Sequence, residues 1–286
     1  WLALQSRSTG GRDGNLATSL GIVQEHSRDV DSFETLRRPG LPRQRLIGAG
    51  PELNRQLIMT VEVKDLSSVL PATRPWPLYW RSFTYDIYTG AGWRSSDTEE
   101  SVLEANQPIG RDKLPNHVEV QAVFRPIAAG DDSMYAPGEP VLLDRQGSVA
   151  WRSGTDLFGV QTSAGGQLTV RSQAASVAEQ TLRSAGQRYP DWVRERYLAL
   201  PPDLPLRVKD LAIQLTGSEP TPYDRVRAIE RYLRTFPYTL DVPHPPASRD
   251  LVDYFLFDLR EGYCDYYASA MVVLARAAGI PARLAI

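Results

Sequence analysis

The spacing of apolar residues changes once along this chain, near residue 173, and that change constrains the fold more than any other feature. Before it, short runs rich in β-branched and aromatic residues alternate with Gly, Pro and Asp clusters: residues 57–64 (LIMTVEVK), 78–88, 118–125 (VEVQAVFR), 141–143, 158–162 and 168–171. Such runs put successive side chains on opposite faces of extended strands, and their even spacing predicts an antiparallel β-sandwich or barrel. After residue 174 apolar residues recur three and four apart between Arg and Glu, the period of amphipathic helices. The expected fold class is α+β, with a β-rich N-terminal domain over 1–173 and a mostly helical domain over 174–286. Residues 1–55 carry many Gly, Arg, Ser and Asp residues and weak periodicity; they are expected to wrap over other elements without building a core.

The helical half is punctuated clearly. Residues 190–200 (PDWVRERYLAL) end at Pro201 and Pro202, and 205–215 follow with Val208, Leu211, Ala212 and Leu215 on one stripe. The next helix has a capping Thr221, Pro222 at its first position and Asp224 at the positive end of the dipole, and it stops at Pro237. Its Val226, Ile229, Leu233 and Phe236 share a face; Arg225, Arg227, Arg231 and Arg234 form the solvated one, with Glu230 and Arg234 as an i,i+4 pair. A short helix is expected near 250–257.

A length of 286 residues, with 42% hydrophobic and 23% charged residues, is that of an ordinary globular chain large enough for two cores. The formal net charge of −2 is spread without a long run of one sign, so nucleic acid is not an expected partner. No run reaches the length of apolar sequence that a membrane span needs. The chain starts at Trp1 and ends at Ile286 within an apolar run, and is expected to be a piece of a larger protein. A single cysteine excludes an internal disulfide framework, and three histidines, His26, His117 and His244, scattered with one cysteine do not make a zinc site.

That cysteine, Cys264, lies in EGYCDYYASAMVVLARAAGIPARLAI, residues 261–286. Gly262 breaks the preceding segment. From Cys264 onward Tyr267, Met271, Leu274, Ala275 and Ala278 fall at helical spacing, Gly279 offers a left-handed C-terminal residue, and Pro281 prevents continuation. Cys264 is therefore expected at a helix N-terminus, where the positive end of the dipole favours a thiolate and backbone amides can donate to an oxyanion. The small residues Ala268, Ser269, Ala270, Ala275, Ala277 and Ala278 suit a central helix packed closely on a neighbouring sheet. Position alone leaves two readings open, a nucleophile or a small buried apolar residue. Asp265 reads as an acid stabilising the first helical turn, and it opposes thiolate formation.

Around this cysteine, Gly262-Tyr263-Cys264, then Tyr267 to Met271 (YASAM) and Leu274 to Arg283 (LARAAGIPAR), the sequence resembles the transglutaminase-like superfamily at its nucleophilic cysteine. Residues 194–201 (RERYLALP) and 223–240 (YDRVRAIERYLRTFPYTL) resemble the helical lead-in of the bacterial membrane-anchored protein-glutamine gamma-glutamyltransferase group. Residues 80–93 (WRSFTYDIYTGAGW) are similar to the β-rich region preceding the catalytic domain there, although Gly90 and Gly92 beside Tyr88 and Trp93 are read first as a hairpin packed by aromatics.

The resemblance implies a papain-like Cys-His-Asp centre. The cysteine attacks a glutamine side-chain amide or related acyl group, and the thioester passes to an amine or to water. Only Cys264 carries over. The His and Asp are implied on strands beyond the cysteine helix, about four residues into which the chain stops, so residues 174–286 correspond to the N-terminal half of a truncated catalytic domain, expected to be inactive alone. The helix of Cys264 is then expected to be exposed, or covered by the missing C-terminal half or another chain. The resemblance further implies an extracytoplasmic location, a membrane-anchored parent, a protein or peptide substrate carrying glutamine or another amide, and no cofactor or metal. Two other readings are a cysteine peptidase or amidase of cell-envelope material, and a non-catalytic binding or assembly module. His244, flanked by Pro243, Pro245 and Pro246, reads as a loop residue, with a base for Cys264 as the alternative.

Overall fold

A computed structural model of the protein describes residues 41–51, 57, 59–64, 78–110, 113–126, 134–162 and 165–286. His26 and most of the irregular segment expected over 1–55 lie outside the described residues. Strands dominate up to residue 175 and helices after 179, and all named strand pairs are antiparallel, an α+β architecture.

Four strands, β2 (Met59–Lys64), β8 (His117–Pro126), β10 (Glu139–Leu143) and β13 (Leu168–Ala175), form one sheet in the order β10-β13-β8-β2. Three more, β7 (Glu99–Leu103), β11 (Gly147–Ser153) and β12 (Asp156–Thr162), form a second in the order β12-β11-β7. Val61, Ala122, Phe124, Leu143 and Val170 of the first sheet and Leu103, Val149 and Val160 of the second bury into one cluster. Alternation along each strand dictates this, because residues two apart share a face.

The run read as one strand over 78–88 is three two-residue strands, each with a different partner. β3 (Trp80–Arg81) pairs β9 (Ala136–Pro137), β4 (Thr84–Tyr85) pairs β14 (Leu284–Ala285), and β5 (Ile87–Tyr88) pairs β6 (Gly92–Arg94). Phe83, Thr84, Tyr85 and Asp86 are buried in succession, so this stretch has a core on both sides and cannot show a solvent-facing period. The expected hairpin is present: Gly90 turns with φ 82°, and the Tyr88 and Trp93 rings lie 5.2 Å apart. One strand was not anticipated. β1 (Gln44–Leu46), in the segment read as coreless, pairs β6, and its neighbours Leu41 and Ile47 are buried. Gly92 makes that pairing possible, since a side chain there would meet the Arg45 carbonyl oxygen at 2.3 Å.

The helices are α1 (Glu179–Ser184), α2 (Asp191–Tyr197), α3 (Leu206–Thr216), α4 (Pro222–Leu233), α5 (Leu251–Tyr254), which runs into a π-helical turn (Phe255–Leu259), and α6 (Cys264–Ala277). The Thr221 hydroxyl accepts from the Asp224 amide at 3.1 Å, and Arg234 pairs with Glu230 at 2.8 Å, as the capping and i,i+4 patterns predict. Gly279 ends α6 with φ 77°.

Contrary to the expectation of an exposed or externally covered helix, α6 is buried within this chain. It packs on α3, α4, α5 and β14, with Ala270, Val273 and Leu274 inaccessible to solvent. The cluster around it also takes in Tyr85, Tyr88, Trp93 and Phe158 from the strand-rich half. The physical reason is that α3, α4 and α5 cover most of α6, while Tyr85, Tyr88 and Trp93 of β4, β5 and β6 complete the cluster that strands beyond the helix were expected to supply. Polar contacts reinforce the junction. Asp156 of β12 accepts from Arg152 at 3.1 Å, Arg196 at 2.6 Å, Tyr197 at 2.6 Å and Arg283 at 3.1 Å, a fully buried carboxylate compensated from three sides.

Candidate active site

Cys264 is the first residue of α6 and its thiol is exposed, while the body of the helix is buried. The approach to it is fixed by backbone. Tyr263 is extended (φ −116°, ψ −179°), and the segment before it lies against the chain leaving α4: the Thr239 amide donates to the Gly262 carbonyl at 2.9 Å and the Gly262 amide to the Pro237 carbonyl at 3.2 Å. Gly262 fits tightly, as a Cβ there would stand 3.3–3.4 Å from the Tyr266 and Phe255 side chains. The elbow between loop and helix thus points the thiol outward while the first-turn amides stay behind it.

That backbone pairing places Tyr238 beside the thiol. Burial pushes the phenol's pKa up, with the neighbouring Cys264 charge adding to the effect. A neutral phenol donating to sulphur favours the thiolate, the nucleophilic form. The ring stacks on Tyr267 at 6.2 Å. Tyr267 is itself anchored, its hydroxyl 2.7 Å from the Pro237 carbonyl oxygen. On the other side, Tyr266 donates to the Gly48 carbonyl at 3.1 Å; burial pushes its pKa up to about 12. These tyrosines are neutral donors at ordinary pH.

Asp265 lies in the first turn of α6, as expected of an acid stabilising that end, and it also has a distant partner. It is buried, 7% exposed, and its carboxylate is ion-paired with Arg45 of β1 at 2.8 Å. Its other oxygen is 4.0 Å from the sulphur of Cys264. Neither Tyr238 nor Arg45 was singled out from sequence. Tyr238 had a faint signal, an aromatic directly after the helix-stopping Pro237. Arg45 had none, standing 220 residues from Asp265 in a segment without pattern.

The other candidates fall elsewhere. His244 is exposed on its loop, its ring 3.4 Å from the position of a Cβ on Gly48, and it has no hydrogen-bond partner among the described residues. His117 begins β8, its Nδ1 2.8 Å from the Pro115 carbonyl oxygen. Among the described residues no three His, Cys, Asp or Glu side chains converge as a metal site requires, and no helix is long and apolar enough to cross a membrane.

Comparison with known proteins gives similarities at the level of family and fold. The transglutaminase-like superfamily model matches residues 209–286, from α3 to the end of β14. An uncharacterized protein of Bacillus subtilis, YebA, is 33% identical over 226 residues, covering 72% of this chain and 30% of YebA. A protein-glutamine gamma-glutamyltransferase of Pseudomonas aeruginosa is 28% identical over 254 residues, covering 86% of this chain and 34% of that protein. The chain therefore spans about a third of the length of these relatives. The periplasmic domain of TgpA from Pseudomonas aeruginosa, bound to ethylmercury, shares the fold with a TM-score of 0.54 at 24% identity over 85% of this chain and 81% of that one; the domain without ethylmercury matches at the same TM-score. Over residues 209–286 the chain resembles the transglutaminase-like superfamily; over most of its length it is similar in sequence to a bacterial protein-glutamine gamma-glutamyltransferase and in fold to the TgpA periplasmic domain.

Proposed function

We propose that this chain is part of the extracytoplasmic region of a bacterial transglutaminase-like enzyme, with Cys264 as the nucleophile and glutamine side chains of proteins or peptides as acyl donors. The observation that carries the reading is an exposed thiol at the N-terminus of an otherwise buried helix, inside the segment that matches the family. In this reading residues 1–173 are a β-rich unit and 174–286 the helical unit that presents the thiol.

The thiolate sulphur attacks the amide carbon, the C=O bond opens to an oxyanion near the first-turn amides, and the C–N bond breaks as ammonia leaves with a proton. The thioester then passes its acyl group to an amine, giving an amide bond, or to water, giving glutamate. Taking the thiol proton and delivering it to ammonia is the work of a general base. No histidine follows Cys264 in residues 1–286, and His244 has no hydrogen-bond partner among the described residues. By itself the chain is therefore proposed to be inactive, with the base and its orienting acid supplied by the rest of the parent protein.

The test is ammonia release and amine incorporation with a glutamine peptide, using the full-length parent and residues 1–286 in parallel. The parent should release ammonia, its Cys264→Ala variant should not, and residues 1–286 should be silent. Release by the parent that survives Cys264→Ala overturns the reading.

A further inference from the structure

We propose that Arg45, brought from β1 to the start of α6, is a positioning residue that keeps Asp265 from suppressing the Cys264 thiolate. The inference rests on the reading of Cys264 as nucleophile and adds a determinant of its ionisation. A carboxylate oxygen 4.0 Å from the sulphur opposes the appearance of a second negative charge there. Asp265 is 7% exposed, so water screens it little. Arg45 Nη2, 2.8 Å from the second carboxylate oxygen, supplies the compensating charge and holds the carboxylate by its far side.

The placement follows from the fold. β1 can lie beside β6 only because Gly92 has no side chain, and its register sets Arg45 opposite Trp93, the residue whose indole bonds to Ser269 of α6. The charge that balances the acid next to the thiol is thus delivered by the segment that sequence patterning left blank.

The other titratable groups around this pair do not replace Arg45. Tyr238, Tyr266 and Tyr267 face it from the loop after α4 and from α6, and Tyr85 faces Arg45 and Asp265 from β4. All four are pushed up by burial, Tyr85 and Tyr266 to about 12, so they remain neutral while a thiol titrates. Glu261 adds negative charge near Tyr267. Arg45 is the cation paired with Asp265.

The experiment follows the rate of iodoacetamide alkylation against pH. Cys264 is the chain's single cysteine, so residues 1–286 report on it alone and need no activity. Arg45→Gln should move the midpoint up by about one pH unit and slow alkylation at pH 7 about tenfold. Asp265→Asn should move it down and speed alkylation, the double variant should follow Asp265→Asn, and Arg45→Lys should stay near wild type. A purely structural ion pair predicts no opposition of sign, so Arg45→Gln and Asp265→Asn profiles that coincide with wild type or shift the same way overturn the proposal. Circular dichroism verifies that each variant is folded. If Arg45→Gln is not, Asp265→Asn decides alone: faster alkylation supports the proposal and an unchanged rate overturns it. Failure here leaves the nucleophile reading standing if Cys264→Ala still abolishes ammonia release by the parent. Retained release in that variant removes the reading whatever the alkylation profiles show.

Discussion

The indole nitrogen of Trp93 donates to the hydroxyl of Ser269 at 2.9 Å, deep in the seam where the β5–β6 hairpin meets α6. Both residues are buried, and the Arg276 guanidinium lies 5.3 Å above the same indole. Ser269→Ala should leave the indole N–H without its acceptor and cost about 1–3 kcal/mol in guanidinium chloride unfolding. Trp93→Phe should cost more, because it also opens a cavity. The two together should cost less than their sum, the mark of a direct interaction.

Tyr238 should matter to the thiol and hardly at all to stability, because its ring is half exposed while its hydroxyl meets Cys264. Tyr238→Phe removes the phenol O–H beside the sulphur; a donor there worth ~1 kcal/mol to the thiolate predicts alkylation at pH 7 slowed about fivefold. Alkylation at wild-type rate in Tyr238→Phe would contradict the contact.

Gly92→Ala tests the delivery of β1. The new Cβ meets the Arg45 carbonyl oxygen at 2.3 Å and the Leu46 Cα at 3.0 Å, both backbone atoms that cannot swing aside. Strain and loss of the β1 pairing should lower stability by about 1–3 kcal/mol. Alkylation should slow together with it, as Arg45 moves off Asp265. A destabilised variant with an unchanged alkylation profile would separate β1 from the thiol.

Asp253 gives the pH prediction. The hydrogen bond from Arg207 first, and then that from Arg249, holds its carboxyl below the usual range despite burial. With the folded value depressed, its stabilising contribution is present above the unfolded value of about 4 and is lost as pH falls through the folded value. The urea midpoint of wild type should therefore exceed that of Asp253→Asn at pH 7. The gap should shrink below about pH 4. A gap that is constant with pH refutes the assignment.

Sequence reading succeeded where the controlling physics is local. Thr221, Pro222, Gly279 and the Gly90 hairpin each act within a few residues, and each is found doing what its chemistry requires. The setting of Cys264 at a helix start was legible for the same reason, since Gly262 and the helical spacing after Cys264 are neighbours in the chain. What escaped depends on distant partners. The apolar run over 78–88 splits because its three parts pair with residues near 137, 285 and 93, and no periodicity records a partner's identity. Arg45 looked like any of the chain's abundant arginines until β1 carried it to Asp265. The burial of α6 was misjudged for a related reason: beside α3, α4 and α5, part of its cover comes from a hairpin more than 170 residues earlier, as Trp93 and Ser269 show.

The pairing of Leu284 with Tyr85 has a consequence in time. It joins positions roughly 200 residues apart, a closure whose entropy cost places it among the later events of folding. The contact of Arg45 with Asp265 spans still more of the chain, whereas Tyr238 and Cys264 are close in sequence and can meet early. Until β1 docks, Asp265 is solvated and Cys264 reacts as an ordinary thiol; docking buries the carboxylate and pairs it in one step, so the alkylation rate changes when that strand arrives. Thiol reactivity becomes a clock for the completion of folding.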